Sequence, residues 1–490
     1  MPLTSEAFVL FAGLVLVLYY LVPRGWQWKL LLAASVVYYW LASPIYLIFI
    51  GFTIISVYAA GCRLEHYKKG KRKWRILLFS MLLNFGILGV TKYTSFILGR
   101  PVDMIVPLGI SFYTFQAMAY LIDVYRDRHP PQQNPFKLAL FLLYFPQLTQ
   151  GPINRYGELS TTLYQPHSFD KETVSCGLMR TLWGYFKKLV IADRLFPAVA
   201  TLVGSEAYRG CYVLVAMVLY AFELYCDFTG GIDIVLGLAQ AMGIRMAENF
   251  DLPYFSKNIR EYWNRWHITM GKWFTDYIFY PVSVCKPMLK LSKRCRQRFG
   301  TKFGKRVTVY LCSLAVWLTT GIWHGASWNF VVWGLTNWLV ITASQELEPL
   351  YAAFHARAHL KNRKGYEAFQ ILRTFFLMSA IRMFDCYATV PMTLQMLSSI
   401  LTTSNFHIFT DGSLLQLGIT VADYAVVAIG LTAIFITSLY KRKYGHTPIQ
   451  ALYANPTAFY TTIAVLCTVI LIFGTYGIGY DPSGFIYSNF

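Results

Sequence analysis

The chain has 490 residues, of which 56% are hydrophobic, 17% aromatic and only 14% charged. That balance excludes an ordinary soluble fold and fits a polytopic membrane protein. The net charge of +20 does not mark a nucleic-acid binder, because the cations gather in short segments between apolar runs, as in membrane proteins whose positive segments face the cytoplasm.

Residues 7–22 are the first apolar run. They lack a basic leader and a small-residue cleavage site, so a retained helix is expected. Residues 30–62 are continuously apolar and as one helix would run ~50 Å, too long for a bilayer. Ser43-Pro44 divides them into a hairpin bracketed by Lys29 and Arg63. A basic cluster follows: Arg63, Lys68, Lys69, Lys71, Arg72, Lys73 and Arg75 against Glu65 alone. Placing it in the cytoplasm, near anionic headgroups, puts the N-terminus outside. Residues 76–98 return outward, Pro101 and Pro107 punctuate, and 108–125 come back to Arg126-Asp127-Arg128.

Residues 137–150 are apolar but short and end in Thr149-Gln150-Gly151-Pro152, which predicts a re-entrant or interfacial segment. Residues 174–195 mix Arg180, Lys187, Lys188 and Arg194 with apolar residues, which predicts an interfacial amphipathic helix. The long run 212–243 is interrupted at Gly230-Gly231 and carries Glu223, Asp227 and Asp233. Acids at membrane depth face a cavity or a partner, and Asp227 is a candidate for lining a substrate path. Residues 286–306 form a basic loop with no acid, holding Lys286, Lys290, Lys293, Arg294, Arg296, Arg298, Lys302, Lys305 and Arg306. Residues 307–345 read as two segments meeting near Gly321 and Gly325, and further spans are expected at 369–385, 414–439 and 457–476, the middle one followed by Lys441-Arg442-Lys443. The total is about eleven crossings. No internal repeat is evident, so residues 1–490 read as a single integral-membrane domain. The nine cysteines include no CxxC pair, which predicts neither a disulfide framework nor a metal site.

Of the nine histidines, His324 alone lies inside a long apolar run. A buried imidazole costs free energy unless it is paired or used. An ordinary imidazole is matched to taking a hydroxyl proton near neutral pH. His267 lies just before the basic loop, among Trp263, Asn264, Arg265 and Trp266, in a stretch whose aromatic and basic interleaving predicts interface anchoring. Ser327, three residues beyond His324, would face it if both sat on one helix. Gly-x-Ser-x-Gly, HExxH and glycine-rich phosphate loops are all missing. Direct acyl transfer, with histidine as base and no covalent enzyme intermediate, is the chemistry these residues permit.

Four stretches together resemble the membrane-bound O-acyltransferase family. They are Pro107-Leu108-Gly109-Ile110-Ser111-Phe112-Tyr113-Thr114-Phe115-Gln116, the run from Glu248-Asn249-Phe250-Asp251-Leu252-Pro253-Tyr254 through Trp263-Asn264-Arg265-Trp266-His267, Gly321-Ile322-Trp323-His324-Gly325-Ala326, and the closing Phe485-Ile486-Tyr487-Ser488-Asn489-Phe490. They come in the family's order, and the chain looks most like its bacterial branch of alginate O-acetyltransferases and teichoic-acid D-alanyl transfer proteins. Asp227-Phe228-Thr229-Gly230-Gly231-Ile232-Asp233 departs from the branch's usual Asp-Phe-Ser-Gly-Tyr-Ser-Asp, and its Gly-Gly-Asn-Arg is absent. The acceptor polymer therefore stays open.

The resemblance implies an all-α ring of spans, with re-entrant and interfacial helices, around a central funnel or tunnel in a bacterial plasma membrane. His324 would be the base at its floor. His267 or Asn264 would orient donor or intermediate, and Trp263, Trp323, Asp227 and Ser327 are candidates for the tunnel wall. No bound cofactor is expected. Coenzyme A or an acyl-phosphopantetheine carrier protein would bring the acyl group as a thioester, drawn by Lys290, Lys293, Arg294 and Arg296. The implied partners are membrane lipid, that donor and a secreted or membrane-anchored SGNH-type protein, with no nucleic acid. Acetyl transfer to an extracytoplasmic polysaccharide leads, with D-alanyl transfer to teichoic acid as the alternative. A transporter or flippase for a lipid-linked glycan, or a structural subunit that docks a secreted transferase, are readings of another class.

Overall fold

The computed structural model describes residues 1–67, 70–360, 363–477 and 479–480. Lys68 and Lys69 of the first basic cluster and the closing stretch 485–490 lie outside the described residues. Among the described residues the chain is helical without strands, apart from one isolated bridge between Phe250 and Trp266. The all-α fold that the resemblance implies is the fold found among these residues. Six helices are long and apolar enough to cross a membrane: Tyr46–Glu65, Lys71–Leu98, Cys211–Ala241, Thr301–His324, Val421–Tyr444 and Pro456–Phe473. Tyr46–Glu65 shows how such a helix is used. It buries Ile50, Thr53, Val57, Ala60, Gly61 and Leu64 on one face, while Ile48 and Ile55 on the other remain exposed. A helix apolar all round has a lipid side as well as a packed side.

The chain forms two compact units: Met1–Arg194 with Leu224–Glu248 and Ala422–Phe490, and Leu195–Glu223 with Asn249–Val421. In the first, Ser43-Pro44 separates helix Gln27–Ala42 from Tyr46–Glu65 as its sequence predicts. Helix Ile110–Tyr125 is buried along its length up to Val124, packed by Tyr46–Glu65, Lys71–Leu98 and Pro135–Leu143. Its entry explains the Pro107-Leu108-Gly109 motif. Gly109 has φ +71°, and a Cβ there would lie 2.4 Å from the Leu148 carbonyl oxygen, so only glycine fits.

Two expectations for this unit are corrected. Gly230-Gly231 does not interrupt Cys211–Ala241, which is one continuous helix. Instead its glycines meet those of helix Lys171–Tyr185. A Cβ on Gly184 would lie 2.6 Å from the Gly230 oxygen, and one on Gly237 would lie 2.6 Å from the Gly177 oxygen. Nor is 174–195 an interfacial amphipathic helix: Lys187 and Lys188 are 4% and 1% exposed. The glycine contact brings the two backbones close enough for these cations to reach the buried Asp227 and the partly buried Asp193 and Asp233. Lys188 pairs with Asp227 at 2.6 Å and with Asp193 at 2.7 Å, Lys187 with Asp233 at 2.5 Å, and Arg180 with Asp233 at 2.9 Å. Buried charges are tolerated where they are paired in this way.

In the second unit the basic loop 286–306 proves to be a helical hairpin. Helix Lys286–Phe299 folds back through Gly300, φ +88°, onto Thr301–His324. A Cβ on Gly304 would lie 2.5 Å from the Arg296 backbone nitrogen, so the two helices touch there. Helix Trp328–Glu346 then packs on Thr301–His324, again through glycine, since a Cβ on Gly334 would lie 2.4 Å from the Trp317 oxygen. Val390–Thr402 is a helix that the sequence reading did not anticipate. The span expected at 414–439 is displaced: residues Ser413–Gln416 form a short 3₁₀ turn and the helix runs Val421–Tyr444.

Candidate active site

Helix Thr301–His324 stops at His324 because Gly325 leaves it in an extended conformation, φ −174° and ψ 156°. A Cβ on Gly325 would lie 2.2 Å from the Phe330 ring. The small residue after the histidine thus lets Phe330 close over the helix end. His324 is 2% exposed. Its imidazole stacks on Phe330 at 6.2 Å and meets Trp323 and Trp333 edge-on at 5.0 and 4.8 Å between centroids.

The helix ends at His324, so Ser327 does not share it. Ser327 is the partly exposed residue that precedes helix Trp328–Glu346. The expected one-turn contact between Ser327 and His324 fails for that reason.

His267 is held by a clasp. The Phe250–Trp266 bridge is flanked by Asp251 N–H donating to the Arg265 carbonyl at 2.9 Å and Ile268 N–H to the Asn249 carbonyl at 3.0 Å. His267 sits at its tip in the left-handed region, φ +48°, an unusual place for a non-glycine residue. It is fully buried. The interface-anchoring expectation for this stretch is therefore corrected: Trp266 is 1% exposed and stacks with Tyr262 and Tyr254. Burial first, then the Arg382 guanidinium, hold the His267 imidazole well below its ordinary value, down to about 3. The Trp323 ring meets both histidines, 5.0 Å from His324 and 6.1 Å from His267.

Trp263 belongs to the same aromatic wall. It lies 5.7 Å from Trp333 and donates from Nε1 to Asn337 at 3.1 Å. Asn264 is exposed, Asp227 is ion-paired with Lys188 in the first unit, and Lys290, Lys293, Arg294 and Arg296 are exposed on helix Lys286–Phe299.

Sequence reasoning missed Arg382. It is 4% exposed, and its guanidinium covers the rings of Trp266, Trp333 and Trp263 at 5.0, 5.4 and 5.5 Å while pairing with Asp385 at 2.9 Å. Three aromatic faces and one carboxylate satisfy a charge that would otherwise be costly at this depth. The signal was present: Arg382 and Asp385 are charges three residues apart in an apolar run, the same rule that drew attention to Glu223 and Asp227.

The membrane-bound O-acyltransferase family model matches residues 38–389, a stretch that includes both histidines, the tryptophan wall and Arg382. The chain belongs to this family and is an acyl-group transferase built on membrane-spanning helices. Among its relatives, a probable alginate O-acetylase of Azotobacter vinelandii is 31% identical over 71% of this chain and 70% of its own length. A peptidoglycan O-acetyltransferase of Helicobacter pylori is 28% identical over 68% and 67%. A teichoic acid D-alanyltransferase of Streptococcus thermophilus is 27% identical over 59% and 68%.

Proposed function

We propose that this protein is a multi-pass enzyme of the bacterial plasma membrane. It moves an acyl group, acetyl before D-alanyl, from a cytoplasmic thioester to a hydroxyl of a cell-surface polysaccharide. The donor is coenzyme A or a phosphopantetheine carrier protein, and delivery is direct or through an SGNH-type partner. The relatives named for alginate, peptidoglycan and teichoic acid support a polymer as acceptor.

The observation that carries this reading is the His324 imidazole at a buried helix end, walled by Phe330, Trp323 and Trp333. His324 takes the proton of the acceptor hydroxyl, and the oxygen attacks the thioester carbonyl. The carbon–oxygen bond forms, the carbon–sulfur bond breaks, and the proton ends on the departing thiolate. Apolar walls exclude water, which would otherwise compete as nucleophile. The cationic helix Lys286–Phe299 supports approach of an acidic donor from the cytoplasmic side.

The test uses inverted membrane vesicles containing the full chain, with labelled acetyl-coenzyme A outside. Thiol release and base-labile label in polymer inside the vesicle are expected, and both are lost in His324→Ala. Transfer only from a D-alanyl carrier protein would select the D-alanyl alternative. Uptake of a lipid-linked glycan without thiol release would instead establish a transporter.

A further inference from the structure

Asn249 is fully buried, and its side-chain oxygen faces three groups. The backbone N–H of Thr269 donates to it at 3.1 Å, the Thr269 hydroxyl donates at 2.9 Å, and Nδ1 of His267 lies at 3.2 Å. A backbone N–H can only donate, so the amide atom it meets is oxygen, and an amide oxygen can only accept. Nδ1 of His267 therefore carries the hydrogen. In a neutral imidazole this leaves the lone pair on Nε2. Arg382 is the charged group whose field reaches this ring, and it opposes a second proton. The clasp fixes the rest of the geometry, since Ile268 N–H is tied to the backbone carbonyl of the same Asn249.

We infer that Asn249 is a positioning residue that locks His267 in the neutral Nδ1–H tautomer, so that His267 serves the reaction as a fixed hydrogen-bond acceptor through an Nε2 that carries no proton. The consequence for acyl transfer rests on the reading above, whereas the tautomer does not. The group that Nε2 accepts from is a substrate N–H or O–H, supplied by an amide of the donor's pantetheine arm or by the acceptor hydroxyl. His267 then cannot protonate the leaving thiolate. The proton that His324 takes from the hydroxyl passes from His324 itself to sulfur as the carbon–sulfur bond breaks.

The tautomer is read by nitrogen NMR of the full chain in lipid bilayers, with ¹⁵N-histidine incorporated. Subtracting the spectrum of His267→Gln, or of His267→Ala if the first folds poorly, isolates the His267 signals. A protonated Nδ1 and an unprotonated Nε2 are expected from about pH 5 to about pH 8. Asn249→Ala should mix the tautomers. Asn249→Asp, with a carboxylate facing Nδ1, should produce imidazolium within that range. An Nε2–H signal in the unaltered protein, or an Asn249→Ala spectrum like the parent's, overturns the inference.

The kinetic arm uses thiol release from acetyl-coenzyme A by vesicles. The Gln side-chain oxygen reaches the region of Nε2, so His267→Gln should stay within about tenfold of the parent while His267→Ala falls about a hundredfold. Equal losses would overturn the acceptor role. A raised KM for acetyl-coenzyme A in His267→Ala assigns the partner to the donor amide, and an unchanged one assigns it to the acceptor hydroxyl. If His324→Ala keeps full activity, the assignment of His324 as the base fails while the NMR result on Asn249 stands.

Discussion

The His324 imidazole meets the Trp333 indole edge-on, with ring centroids 4.8 Å apart and planes 74° from parallel. Trp333 is in turn covered by the Arg382 guanidinium at 5.4 Å. The candidate base is thus seated against a ring that is itself held by a buried ion pair. Orientation of the imidazole and stability of the wall are linked through one residue.

Replacing His324 by Ala or Gln should abolish acyl transfer and leave the fold in place. General-base assistance is worth about 10²–10⁴-fold. The assay is thiol release in vesicles beside thermal unfolding in detergent. More than about a tenth of the parent rate in a normally stable variant would remove His324 from the chemistry.

Arg382→Met should destabilise the protein strongly, by about 3–5 kcal/mol, because it leaves the Asp385 carboxylate buried and uncompensated. Adding Asp385→Asn should recover part of that loss. Thermal unfolding of the two single variants and the double variant gives the coupling. If the losses simply add, the 2.9 Å ion pair contributes nothing to the wall.

His267 makes a pH prediction. Its folded-state value is lowered from 6.5 to about 3, so between these limits the unfolded chain binds a proton that the folded chain refuses. This part of the stability is present above pH 6.5 and is lost as pH falls toward 3. His267→Gln should therefore flatten the acid limb of the stability curve, measured as melting temperature against pH. Parallel curves for parent and variant would mean that the imidazole is not held neutral.

Neutralising Lys290, Lys293, Arg294 and Arg296 together should raise KM for acetyl-coenzyme A at low salt, with the difference shrinking as salt rises. All four are exposed on one helix, so the fold should survive. The rate at saturating donor should be unchanged. A KM that is equal to the parent's at low salt would leave this helix a topology signal alone.

The sequence by itself determined the solvent and the outline. Composition and the length of its apolar runs require a bilayer and a helical fold, because backbone polar groups must be satisfied within each segment. Ser43-Pro44 and Gly325 were legible as breaks, and His324 was legible because a titratable group in an apolar run is rare. The tertiary structure decided what the polar residues do. Lys187 and Lys188 read as interface cations, yet Asp193, Asp227 and Asp233 draw them inside, which depends on glycines on two helices meeting across the fold. His267 and Trp266 read as an interface belt, yet a clasp closed by Asn249 buries them. Arg382 came to matter because Trp263 and Trp266 from one short helix and its cap, and Trp333 from another helix, converge on it. Periodicity and burial cost act along the chain and can be read from it, whereas ion pairs and ring stacks join residues far apart in sequence and exist only once the helices have packed.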